Sequence, residues 1–283
     1  MLTTRTKIAI ARLVQRPVVW ARRLRGAGPH ATVRRRGLTW ALDLNEGIDF
    51  AIYLQGAFEP DTVRAYGDIV KPGMTVLDIG ANVGAHTLHL ARLVGPTGRV
   101  VAFEPTDWAF AKLNANVALN PELAKVVAPA QVFLVDREDR KPAAEVPASW
   151  PLDGRGVHPR LRARAMAAAD AAATTVDAWL ARAKAAPVGF IKMDVDGHEC
   201  GVLAGAAEML ARDRPTILLE LSPYILEERG GSLDQLVDLL EGAGYHLHRL
   251  SDDTPLSQDR AALARSIPIG AGINAIARCE AGS

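Results

Sequence analysis

Cysteine is scarce in this chain: Cys200 and Cys279 are the only two among 283 residues. That argues against a disulfide-stapled scaffold and against a cysteine-based structural zinc site. No apolar run approaches the roughly 18 to 20 residues that a membrane-spanning helix needs. Acidic residues are missing from the first 36 positions, which hold ten basic ones. A signal peptide is a poor fit there, because Arg12 and Arg16 interrupt the apolar stretch and no clean small-residue cleavage site follows it. A module of interleaved aromatic and basic residues for nucleic acid is also missing, so no nucleic-acid partner is expected.

What is present describes an ordered protein. The chain is 49% apolar and 23% charged, which excludes disorder as its main state. The formal charge of +1 hides a division, because the remaining body has 23 basic against 32 acidic residues, a net of −9. Any attraction for an anionic surface therefore sits in residues 1–36. The stretch from Ile8 to Leu24 reads as a helix with Ile10, Leu13, Val14 and Trp20 on one broad face, kinked or divided at Pro17. Such a helix could lie on an anionic membrane, or dock on its own acidic body or on a partner subunit.

Residues 1–58 read as this basic arm followed by a small β or helical extension. Trp40, Leu42 and Leu44 alternate as a half-buried strand should, and Ile48 to Leu54 either returns as a hairpin or enters a short helix. A helix follows from about Glu59 to Val70, stopped by Lys71-Pro72-Gly73. Strands and helices then alternate. Strands fall at MTVLDIG, GRVVAFE, Gln131 to Val135, VGFIKMDVDG, PTILLEL and GYHLHRL, and the tail IPIGAGINAIARC closes the sheet as an edge or antiparallel strand. Residues 136–162 form an excursion, and the alanine-rich stretch 163–186 reads as largely helical. This order predicts one α/β domain over 59–283, a mostly parallel seven-stranded sheet with helices on both faces.

The most informative string is Val76 to Gly84, a strand entering a glycine turn before a helix. Open α/β sheets bind ligands beyond the carboxyl ends of such strands. The turn reads G-x-N-x-G, with Asn82 where a dinucleotide fingerprint has its second glycine. That favours a cofactor without a pyrophosphate, and no G-K-[ST] follows to make a phosphate loop. Asp78 can accept a hydrogen bond from an ammonium. Glu104, 26 residues further on, ends the next strand, where a carboxylate can grip both ribose hydroxyls. Trp108 can cover an adenine, with Phe103 or Pro105 as substitutes.

DIGANVG at 78–84, FEP at 103–105, TTVDAWL at 174–180, IKMDVDGHECGVLAGA at 191–206 and ILLEL at 217–221 together resemble the FkbM-type methyltransferases that use S-adenosylmethionine. The resemblance implies the Rossmann-like class I methyltransferase fold. It implies that Asp78, Gly80, Ala81, Asn82 and Gly84 hold the methionine part of the cofactor and Glu104 its ribose. It also implies O-methylation of a sugar, lipid or polyketide-like product. Asp196 stands where the family often has Glu, a one-carbon shortening.

Methyl transfer from a sulfonium asks the protein to align an acceptor and to take its proton. Asp194 and His198 are the candidate bases, histidine having the better unperturbed pKa, and Glu220 ends the neighbouring strand and faces the same cleft. Lys192 is read onto the opposite strand face and given no catalytic role. Asp194, Asp196, His198, Glu199 and Glu220 could also ligate magnesium, but no metal is assigned. The expected function is O-methyl transfer to a hydroxyl of a sugar, glycolipid or related metabolite. The alternatives are N- or carboxyl-methylation on the same fold, or a non-catalytic membrane-associated adaptor. The expected setting is cytoplasmic, with peripheral contact at an anionic membrane through residues 1–36. The sequence leaves the oligomeric state open.

Overall fold

The computed structural model describes residues 4–155, 157–158 and 163–279. Positions 156 and 159–162 of the excursion lie outside the described residues. Helix α1 (Thr4–Leu24) leads into a hairpin of β1 (His30–Arg35) and β2 (Leu38–Asp43), then α2 (Gly47–Gln55) and α3 (Pro60–Ile69). Arg36 and Gly37 both have positive φ, the pairing a two-residue hairpin turn requires. A first parallel run follows: β3 (Thr75–Ile79), α4 (Thr87–Val94), β4 (Arg99–Phe103), α5 (Asp107–Ala118), α6 (Pro121–Ala124) and β5 (Val127–Ala130). Four short strands come next: β6 (Val132–Leu134), β7 (Glu145–Ser149), β8 (Arg164–Ala167) and β9 (Ala172–Thr174). The second run is α7 (Val176–Ala183), β10 (Val188–Met193), α8 (Glu199–Ala204), α9 (Ala207–Asp213), β11 (Thr216–Leu221), α10 (Pro223–Glu228), α11 (Leu233–Gly242) and β12 (Tyr245–Arg249). Helix α12 (Arg260–Ser266) and strand β13 (Ile273–Cys279) end it.

The main sheet has seven strands in the order β12-β13-β11-β10-β3-β4-β5. All neighbours are parallel except the two pairs made by β13, which lies antiparallel between β11 and β12. The chain fills β3 to β5 in one direction and then β10 and β11 in the other, so strand order reverses between β3 and β10. Alternation along the strands gives each sheet face its own core. Leu77, Ile79, Val101, Phe103 and Ile191 pack on one side with Met209 and Leu236. Val76, Val100, Ala102, Phe190 and Leu218 pack on the other with Leu88. Leu38, Trp40, Leu42, Phe50 and Ile52 join this second cluster, so the extension shares a core with the sheet.

Several expectations are corrected. Residues 164–167 and 172–174 are strands, β8 and β9, because β7 and β6 offer them backbone partners and tertiary pairing overrides the helix preference of alanine. Of the two alternatives for Ile48 to Leu54, the short helix is the one formed, and the hairpin partner of β2 is β1. Helix α1 runs through Pro17 instead of being divided there. Strand β5, which completes the sheet, precedes the short β6 expected near Gln131.

Candidate active site

The reversal point brings two strand ends together. The Asp194 amide donates to the Ile79 carbonyl at 3.0 Å, so β10 and β3 leave the sheet side by side. Gly80 then turns at φ +80°, and a Cβ there would lie 1.9 Å from the Asp194 carbonyl oxygen. Only glycine meets both conditions. The amides of Gly80 and Ala81 donate to the Phe103 carbonyl at 3.0 and 2.9 Å, tying the turn to the end of β4. Asn82 sits at φ +49°, a conformation asparagine tolerates better than most side chains. Its Nδ2 donates to the Ala148 carbonyl at 2.8 Å and its Oδ1 accepts from the Val83 amide at 2.9 Å. The side chain therefore braces the turn against β7.

Glu104 is buried at the end of β4 and organises the same turn. Its Oε2 accepts from the Asn82 amide at 2.9 Å, and its Oε1 accepts from the Thr106 amide and hydroxyl at 2.9 and 2.6 Å. Burial pushes its carboxyl upward, opposed by these hydrogen bonds and by Lys192. The Thr106 hydroxyl is spent on Glu104, and α5 starts without a side-chain cap.

A cavity of about 720 Å³ opens beside the turn. That is within the usual size for a small-molecule site, roughly 300 to 1,000 Å³. Gly80, Ala81, Asn82, Glu104 and Pro105 line it, and so do Asp194, His198 and Glu220. Asp78, Gly84 and Trp108 do not. Asp78 is fully buried beneath the turn, where its Oδ2 accepts from the Thr87 hydroxyl at 2.5 Å and its carboxyl is raised by burial. Gly84 serves packing, since a Cβ there would come within 2.9 Å of Leu113 on α5. Trp108 packs beside the second core cluster with the Lys112 ammonium 4.8 Å from its ring centre.

The reaction corner is acidic around one cation. Lys192 lines the cavity with its ammonium 3.5 Å from the Asp194 carboxylate. Residues two apart on a strand share a face, so the period itself places Lys192 with Asp194 and overturns the expectation of opposite faces. Burial lowers the Lys192 pKa, but Asp194, Asp78 and Glu59 raise it by more, and it stays charged. Burial and then the Asp194 charge push Glu220 well above the carboxylate range. Burial and the charges of Asp194 and Glu199 do the same to Asp196. Burial and the neighbouring charge of Asp194 thus act in the same direction on both carboxyls, toward the protonated form. Burial, with Arg229 and Arg140, lowers His198 to about 4, which removes the advantage an unperturbed histidine has as a base. Its Nε2 is buried without a hydrogen-bond partner among the described residues. Among those residues, no group of three or more His, Cys, Asp or Glu side chains is arranged to hold a metal ion.

Sequence reasoning missed the part of the wall that α1 supplies. Helices α1 and α2 contribute Ile8, Ala11, Phe50 and Ala51, and Phe58, Glu59 and His86 line the same cavity. His86 is buried, lowered well below the histidine range by burial, and its Nδ1 meets the Tyr66 hydroxyl at 3.3 Å. Only three-dimensional packing brings these residues to the cavity. The one local signal was the apolar content of α1 and α2.

Glu199 has a consequence for stability. It is buried at the start of α8, where Oε1 accepts from the Val195 and Gly197 amides at 3.3 and 3.4 Å and Oε2 has no hydrogen-bond partner among the described residues. Burial raises its pKa from 4.5 to about 7. An acid raised in the folded state binds more protons folded than unfolded, so stability falls as pH rises from 4.5 to about 7. The full effect is about 3 kcal/mol. Glu199→Gln is expected to raise the melting temperature at pH 8 by several degrees and to change it little at pH 4, read by thermal unfolding at both values. Equal shifts at both would show that Glu199 keeps an ordinary pKa.

Residues 78–247, more than half of the chain, match the family model of the Methyltransferase FkbM domain. Similar solved structures include a putative rRNA-methylase from Clostridium thermocellum, 15% identical over 79% of this chain and 96% of that one, with a TM-score of 0.47. The methyltransferase FkbM of Methylobacillus flagellatus KT is 14% identical over 76% of this chain and 50% of that one, with a TM-score of 0.43. Aeropyrum pernix fibrillarin, solved with natively bound S-adenosyl-L-methionine, is 14% identical over 88% and 81%, with a TM-score of 0.42. With its reversed strand order and its match across the turn, the acidic corner and the strands between them, this chain belongs to the FkbM family of methyltransferases, whose expected cofactor is S-adenosylmethionine.

Proposed function

We propose that this methyltransferase transfers its methyl group to a hydroxyl of a sugar, glycolipid or related small metabolite. The observation that carries the reading is that the glycine turn and the acidic corner open into one cavity. The residues there fit S-adenosylmethionine. Gly80 lines the cavity at a positive φ that brings the turn against the end of β10, and the Glu104 carboxyl sits at a strand end beside it. A carboxylate has about four lone-pair sites. Protein donors use three of those on Glu104, so it has room for one hydroxyl of a ribose diol and not for both. When bound, the cofactor supplies a methyl on an already activated sulfonium.

The chain's own residues then have an acceptor to orient and a proton to receive. Asp194 carries the negative charge that Lys192 holds in place, and it is the group assigned to accept the acceptor's hydroxyl proton. Glu220, protonated, can donate a hydrogen bond to a neighbouring oxygen of the acceptor. Neutral His198 offers an imidazole that orients without being basic enough to remove a proton at neutral pH. A polyol suits this set, because it presents several hydroxyls to one donor and several acceptors.

The test is incubation of cell extract with the protein and methyl-labelled S-adenosylmethionine, followed by mass spectrometry. A labelled ether on a carbohydrate-bearing product is the expected result. Label on nitrogen or as an ester would replace the O-methyl reading, and no label in any extract fraction from a protein that binds the cofactor would favour the adaptor reading.

A further inference from the structure

Helix α1 has two apolar sides, and the body covers only one. Val19 is buried, and Ile8, Ala11 and Val18 pack against the second core cluster. Gln15 and Arg22 complete this side, donating to Asn45 and to the carbonyls of Gly28 and His30. The opposite side carries Ile10, Leu13, Val14, Pro17, Trp20 and Leu24, the i, i+3, i+4, i+7 spacing of one helical face. Leu13 is 79% exposed, Trp20 63% and Leu24 67%. Ile10 and Val14 are exposed too, and so is Leu54 of α2, yet all three also line the cavity. The uncovered apolar stripe therefore runs without a break into the cavity mouth.

The charges beside the stripe are of one sign. Arg16, Arg23 and Arg25 are exposed, and none has a carboxylate partner among the described residues. The body's excess of acid thus leaves these arginines unneutralised, although the arm packs on that body. An exposed apolar face with a tryptophan in it, bordered by unpaired arginines, matches the surface of a bilayer that contains anionic lipid. No helix among the described residues is long and apolar enough to cross a membrane, so the contact would be peripheral.

We propose that α1 docks this protein on an anionic bilayer and that the cavity mouth then faces the lipid, so that the methyl acceptor is an amphiphile with a hydroxyl-bearing head and an aliphatic tail. The tail lies along Ile10, Val14 and Leu54, and the head reaches Asp194 and Glu220. The acceptor half of this inference rests on the O-methyl reading above; the docking half does not.

Co-sedimentation of the full chain with vesicles tests it without relying on turnover. Binding is expected to phosphatidylcholine vesicles that contain phosphatidylglycerol, at least tenfold above binding to phosphatidylcholine alone, and to weaken with salt. Leu13→Glu with Trp20→Glu, both outside the cavity, is expected to lose at least tenfold in vesicle binding while keeping the melting temperature and the affinity for S-adenosylmethionine. Arg16→Glu with Arg23→Glu is expected to lose the preference for anionic lipid. Failure of the wild-type chain to bind anionic vesicles would overturn the docking. So would undiminished binding by the first variant, or a wild-type dimer that this variant turns into a monomer, which would make the stripe a contact between copies. Vesicle binding with a purely water-soluble labelled product would overturn the amphiphile while leaving both the docking and the methyl-transfer reading in place.

Discussion

Gly80→Ala is expected to abolish measurable binding of S-adenosylmethionine and to destabilise the fold by about 4 kcal/mol or more, the range of the most severe single substitutions. Two penalties act at one atom. The residue sits at φ +80°, where an L side chain is strained, and the new methyl would lie 1.9 Å from the Asp194 carbonyl oxygen. That oxygen belongs to backbone leaving the sheet beside β3, so it has no rotamer by which to retreat. Relief requires β3 and β10 to separate where the Asp194 amide holds the Ile79 carbonyl. The turn and the acidic corner would then move apart together. Gly67, within α3, is the matched control: nothing lies within 4 Å of its added Cβ. Gly67→Ala is expected to gain about 0.5 to 1 kcal/mol from helix propensity. Thermal unfolding and calorimetric titration of both variants check the pair. A Gly80→Ala protein with wild-type cofactor affinity would remove the turn from the binding site.

Asp194→Asn is expected to lower turnover by about 10²- to 10⁴-fold, the usual contribution of a positioned acid or base, and to leave cofactor affinity within a few-fold. The substitution keeps the shape and removes the charge. Lys192, almost fully buried, then loses its nearest counterion but keeps Asp78 as its register partner across β3. Glu220 loses the like charge that helps to raise it, so its pKa is expected to fall. The residual activity should accordingly show a pH profile displaced to lower pH. Steady-state kinetics over pH, with calorimetric affinity for S-adenosylmethionine alongside, separates the outcomes. Full turnover would remove Asp194 as the base. A parallel collapse of cofactor binding would make it a positioning residue of the Gly80 turn.

The sheet was legible because each of its central strands is a short apolar run that ends in a distinctive corner: DIG, FEP and KMD. The antiparallel tail strand was anticipated, although its place inside the sheet was not. Local pattern failed where partners lie far away in sequence. Ala165, Ala167, Ala172 and Ala173 carry no strand signal of their own and join strands only because β7 and β6 are beside them. Of the residues drawn from the turn motif, Gly80, Ala81 and Asn82 reach the cavity, while Asp78 and Gly84 support the turn from beneath and behind. Both roles produce the same motif letters. Distinguishing them needs Thr87 and Leu113, the residues that occupy Asp78 and Gly84. Lys192 was misread for a different reason, since the two-residue period was available in the sequence and was not applied.

The cavity is lined both from within the family-matching segment and from the helices ahead of it. Gly80, Glu104, Asp194 and Glu220 all fall within the segment that matches the family, whereas α1 and α2 precede it. On the proposed reading, the family segment supplies the turn and the acidic corner, and α1 and α2 add apolar wall to the same cavity. Residues 4–60 can therefore vary the apolar end of the acceptor pocket without touching a residue of the glycine turn or of the acidic corner.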